Sequence, residues 1–157
     1  MIRFVTAAIC LYMGCVLQLA LSQPASVFGI QPDFVLVAVA SLGMCLNRTP
    51  AAAWGVAGGI MEGALVGANL THYAISRAVA GFVAAWTRRM RFESTLPVVG
   101  LTVAFATIVG QILFMFTAAP RGIVGFLGDT IGSAMYNGVL AMPVYSLLRR
   151  VLNPPVR

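Results

Sequence analysis

The chain has 157 residues, of which 60% are hydrophobic and 9% charged, against about 25% charged in an ordinary soluble domain. That balance excludes a soluble globular protein and predicts an all-α integral membrane protein, a single polytopic domain over residues 1–157. Ten arginines, no lysine and four acids leave a formal net charge of +6. The arginines fall mostly in short gaps between apolar runs, a pattern that orients a membrane protein and excludes a nucleic-acid-binding face.

The first apolar run, Phe4 to Leu21, follows Arg3 and has the outline of a secretory signal as well as of an anchor. Its 18 residues exceed the roughly 7 to 15 of a signal core, and Ala20-Leu21-Ser22 is a weak cleavage site, so a retained helix over 4–21 is expected. Residues 22–32 carry no Arg or Lys. Pro32 and Asp33 then open a short second helix over 33–47, proline suiting a first turn and the acid capping the positive end. Val27 to Ile30 could lengthen it.

Asn47-Arg48-Thr49-Pro50 is a tight basic connector in which Thr49 is expected to cap the third helix, over 50–68, with Pro50 at its first position. This helix carries the sharpest local signal of the chain. Glu62 is buried in an apolar stretch where Gly55, Gly59, Gly63 and Gly67 recur every fourth residue, a groove of bare backbone along which another helix can lie. Two uses of that groove stay open, packing within the protein's own bundle and docking of a partner's membrane helix.

Ala68 to Tyr73 reads as an outer turn, with His72 on it, before a fourth helix over 74–87 that holds Arg77 near its start. Counting from the turn at 1.5 Å per residue, Glu62 and Arg77 lie roughly 14 and 9 Å away, a difference that a long arginine side chain spans. An ion pair across the hairpin is therefore expected. Such a pair could serve only to fix the hairpin, to handle a proton or substrate, or to meet a partner or cavity, because intramembrane charges are functional candidates by default.

The gap 87–95 holds Arg88, Arg89 and Arg91, the strongest basic cluster, and the fifth helix spans 96–117 with Gln111 inside it. Residues 118–129, with Pro120, Arg121 and three glycines, read as an interfacial or re-entrant segment. Asp129 is expected to cap the last helix, over 131–148, where Pro143 marks a kink and Asn137 would hydrogen-bond with Gln111 between helices five and six. Alternating the gaps allots Arg3, Arg48, Arg88, Arg89, Arg91, Arg149, Arg150 and Arg157 to one side and Arg121 to the other, which orients six transmembrane helices with both termini cytoplasmic.

Cys10, Cys15 and Cys45 lie in apolar runs without metal or redox spacing, and His72 has no second ligand near it in sequence. No nucleophilic triad, metal set or phosphate loop is present, so neither catalysis, nor a metal, nor a cofactor is expected.

Three stretches resemble a known family. Glu62-Gly63-Ala64-Leu65-Val66-Gly67 with His72, Ser76-Arg77 and Gly81-Phe82, the pair Pro32-Asp33 with the apolar run after it, and Tyr136-Asn137-Gly138-Val139-Leu140-Ala141-Met142-Pro143 are similar to the central stretch, the second helix and the last helix, respectively, of the rod-shape-determining MreD family. Where that family commonly has Asp, this chain has Glu62. The resemblance implies a multi-pass protein of the bacterial inner membrane that supports lateral peptidoglycan synthesis without being an enzyme. Its implied partners are MreC and, through it, MreB, RodA and a class B penicillin-binding transpeptidase, together with membrane lipid. The family is structurally similar to the substrate-binding subunits of energy-coupling-factor vitamin transporters, which implies a rival reading: a small-molecule-binding subunit with Glu62, Arg77 and His72 lining a cavity.

Overall fold

The computed structural model describes residues 2–67, 69–87, 95–117 and 122–152. They form six helices, α1 (Ile2–Leu21), α2 (Phe34–Cys45), α3 (Arg48–Val66), α4 (Leu70–Thr87), α5 (Leu96–Thr117) and α6 (Ile123–Leu152). Among the described residues there is no strand beyond an isolated bridge between Val27 and Ile30. Three helical stretches are long and apolar enough to cross a membrane: Arg3–Leu21, Leu96–Thr117 and Gly125–Leu152.

The bundle is built around α2. Every residue from Val35 to Cys45 is buried, as a helix that is apolar all round requires. It packs on each of the other five helices, while α3 with α4 and α5 with α6 form the two tight flanking pairs. α1 leans on this centre through Ala7, Leu11 and Cys15, spaced by four, and turns Phe4, Ile9, Tyr12 and Leu19 outward.

At 12 residues, α2 is about 18 Å long, too short to cross a bilayer. Its N-terminus therefore lies inside the bundle, and its unpaired N–H groups need partners there. Gln18 Oε1 accepts from Phe34 N–H at 2.7 Å and Asp33 Oδ1 from Leu36 N–H at 2.8 Å. Asn137 Oδ1 accepts from Asp33 N–H at 3.0 Å. The expected cap at Asp33 is thus present, as one part of a wider clamp.

Several boundaries differ from expectation for local reasons. Val27 to Ile30 does not extend α2. Phe28 and Gly29 take positive φ of 54° and 83°, and Val27 and Ile30 exchange both backbone bonds at 3.0 Å, a two-residue reverse turn. α3 starts at Arg48 with Asn47 at its N-cap, so Thr49 is inside the helix and does not cap it. Pro50 is tolerated one turn in because its missing N–H is among the donors a helix start leaves free. α4 starts at Leu70, which draws His72 and Tyr73 into its first turns.

α6 begins eight residues before the expected 131, its first turn closed by Phe126 N–H to the Gly122 carbonyl at 3.1 Å. Asp129 is consequently an exposed mid-helix residue and caps nothing. The glycines at 122, 125 and 128 led to a loop reading, yet a Cβ at any of them would meet nothing within 4 Å. Gly125 and Gly128 therefore lie on an open side of the helix, and Gly122 just precedes it. The arginine cluster 88–91, Arg121 and the tail 153–157 lie outside the described residues.

Candidate functional site

The polar residues of the bundle gather where the α2 N-terminus meets the ends of α3 and α4. Gly67, in left-handed conformation at φ 65°, ends α3, and α4 begins at Leu70. Antiparallel pairing then sets Arg77 beside Glu62. Arg77 Nε and Nη2 donate to Glu62 Oε2 and Oε1, both at 2.7 Å, a two-pronged grip suited to a planar guanidinium.

The same Nη2 reaches Asp33 Oδ2 at 2.5 Å, and Nη1 donates to Ser76 Oγ at 3.4 Å. Ser76 in turn donates to the Gly110 carbonyl at 2.8 Å, which ties the site to α5. Tyr73 lies under the guanidinium, its ring centre 5.6 Å from Arg77 Cζ. Arg77 is 3% exposed and Glu62 4%. Asp33, 44 residues from Arg77 in sequence, is the member that spacing did not identify, because capping α2 already accounted for it.

One guanidinium thus serves two carboxylates, and the triad carries a formal charge of −1. The positive end of α2 at Asp33 supplies a partial charge of about +0.5 that offsets some of this excess. Beside the triad is a polar cavity of about 180 Å³, lined by Asp33, Glu62, Tyr73 and Arg77 together with Gln18, Gln31, Gln111 and Ser133. This arrangement can hold charge and present acceptors to a small polar or cationic group. It presents no nucleophile with an adjacent base.

The remaining candidates divide. Asn137 is fully buried and joins the cluster through Asp33 N–H. Its α5 partner is Thr107 Oγ1 at 3.5 Å, and Gln111 lines the cavity instead. His72 stays outside the triad, its ring edge-on to Phe114 at 6.5 Å, and its Nδ1 is buried with no hydrogen-bond partner. Among the described residues no group of three His, Cys, Asp or Glu is gathered for a metal ion.

The glycines are not a free groove. A Cβ on Gly55 would fall on the Arg77 carbonyl and Ala78 Cα, and one on Gly59 on the Tyr73 carbonyl and Ala74 Cα. At Gly63 it would come within 3.0 Å of Leu70 Cα, and at Gly67 it would meet nothing. The ladder is filled by the protein's own α4, so of the two uses left open for Gly55, Gly59 and Gly63 the one observed is packing within the bundle. Gly67 belongs to the turn and not to the ladder.

Asn137→Leu removes the acceptor for a backbone N–H at the buried start of α2. It is expected to cost roughly 1–3 kcal/mol, read from thermal unfolding in detergent. An unchanged transition would mean that Asp33 N–H finds another acceptor. No known family model matches the sequence, and no characterised protein or solved structure is significantly similar to it.

Proposed function

We propose that this chain is an MreD-type subunit of the bacterial elongation machinery. On this reading it crosses the inner membrane six times with both termini cytoplasmic, and it supports lateral peptidoglycan synthesis by holding partner transmembrane helices, MreC first among them. The observation that carries the reading is convergence. Asp33, Glu62, Arg77 and Asn137, drawn from three stretches of sequence that resemble the family, meet in one hydrogen-bonded cluster. A set of intramembrane charges costs at least about 2.5–3.5 kcal/mol each on insertion scales when unpaired, so residues that neutralise one another are retained or lost together.

Because α4 fills the glycine ladder, partner contact falls to the outward faces of α1, α5 and α6, where Tyr12, Phe105 and Met135 are exposed. The test is expression in a rod-shaped bacterium depleted of its own MreD, with pull-down of the MreC membrane helix. Restored rods and a recovered complex are expected. Round cells together with no recovery of MreC, from a stably inserted protein, would overturn the reading.

A second reading has its own support in the polar cavity: a small-molecule-binding subunit of the energy-coupling-factor type, with Glu62 and Arg77 in its wall. Glu62→Gln separates the two. It removes a charged cavity wall and abolishes ligand uptake under the transporter reading, whereas a scaffold that keeps its abundance continues to recover MreC.

A further inference from the structure

A second cavity, of about 410 Å³, opens sideways between α1 and α6 with Val37 and Ala38 of α2 as its floor. Its α1 wall runs from Thr6 to Leu17 and its α6 wall from Leu140 to Val151. Thr6 brings the only hydroxyl to a lining that is otherwise hydrocarbon and sulfur, so the space suits an alkyl chain and no polar ligand.

Its height identifies the occupant. Each wall is eleven residue steps long, about 16 Å, or close to half of a hydrocarbon core of about 30 Å. Above Leu17 and Leu140 the groove is closed. Gln18 is bonded to Phe34 N–H, Tyr136 donates to the Ala25 carbonyl at 2.7 Å, and Ile30 fills the space over Gly132. A partner helix would need a seam of the full bilayer height, whereas a lipid tail needs the depth of one leaflet.

The open end is basic on both walls. Arg3 precedes Thr6 by one helical turn on α1, and Arg150 precedes the lining residue Val151 on α6, whereas Arg149 projects from the opposite side of that helix. All three are exposed, and none is paired with a carboxylate among the described residues. We propose that this groove is a specific site for one acyl chain of an anionic phospholipid, with Arg3 and Arg150 holding its phosphate. Pro143, in the α6 wall, leaves the Val139 carbonyl without its helical donor.

The test is native mass spectrometry of the full chain in detergent, where membrane orientation plays no part. Phosphatidylglycerol and phosphatidylcholine of identical acyl chains are added in equal amounts. A single phosphatidylglycerol adduct is expected to dominate, with the preference falling about five-fold for each of Arg3→Gln and Arg150→Gln. Leu147→Trp, at a position 66% exposed where the fold tolerates bulk, fills the groove and lowers retention of both lipids. Equal retention of the two headgroups by the parent chain would overturn the proposal, as would a preference that the arginine variants leave intact. So would a homodimer that Leu147→Trp disrupts, because the groove would then belong to a second copy of the chain.

Discussion

Arg77→Met is expected to lose about 3–5 kcal/mol of stability, the usual consequence of removing one partner from a buried ion pair. The guanidinium is held by two carboxylates whose side chains are 12% and 5% exposed. Without it, both negative charges face one another in a site that water barely reaches. Loss on that scale is a large part of a typical folding free energy of about 5–15 kcal/mol, so the variant should disappear from membranes. The decisive comparison is the neutral triple variant, Arg77→Met with Asp33→Asn and Glu62→Gln. Asparagine still caps a helix, and the charges are removed together, so most of the lost abundance should return. Quantitative immunoblotting of membranes and unfolding followed by Trp54 and Trp86 fluorescence read both outcomes. A single variant as stable as the parent would show that the carboxylates do not depend on Arg77. Failure of the triple variant to recover would mean that shape and not charge is what Arg77 supplies. Arg77→Lys should fall between, because a single ammonium cannot reproduce the fork to Glu62 while also reaching Asp33.

How much of this site the sequence carried depends on distance along the chain. Glu62 and Arg77 flank one short turn, and the helical rise leaves between them only a difference that an arginine side chain spans. Asp33 and Asn137 stand 104 residues apart, and each had a sufficient local explanation, a helix cap for one and an interhelical amide for the other. Only the packing of α6 on α2 brings Asn137 to the Asp33 backbone. The burial of α2 matches its predominantly apolar run from Phe34 to Leu46, but its central role was not read from it. Its shortness concealed that role, because 12 residues read as a deficient span and not as a helix starting inside the bundle. Glycine misled in two directions. At 125 and 128 it suggested a loop where α6 continues, since sequence alone does not distinguish a glycine facing open space from one that ends a helix. At 55, 59 and 63 it indicated close approach correctly but left open which helix approaches.

Gly59→Leu addresses that last point, and it is expected to destabilise the isolated protein by about 3 kcal/mol, at the upper end for overpacking. The first carbon of any side chain there would occupy the place of the Tyr73 carbonyl and Ala74 Cα. Backbone cannot rotate away as a side chain can, so α3 and α4 must separate. Separation also draws Glu62 away from Arg77, because the ion pair spans the same interface, and the steric and electrostatic losses therefore come together. Graded substitution tests this geometry. Gly55→Ala and Gly59→Ala should already be severe, since a single Cβ meets backbone at both. Gly63→Ala should be mild, with Leu70 Cα 3.0 Å away. Gly67→Asn should cost about 1 kcal/mol or less, because its cavity is open and asparagine tolerates the left-handed conformation. If the ladder instead received a partner helix, all four variants would be stable alone and would lose only the complex. Thermal unfolding of the purified chain with no partner present distinguishes the two, and equal stability of Gly59→Leu and the parent would return the ladder to the outside of the molecule.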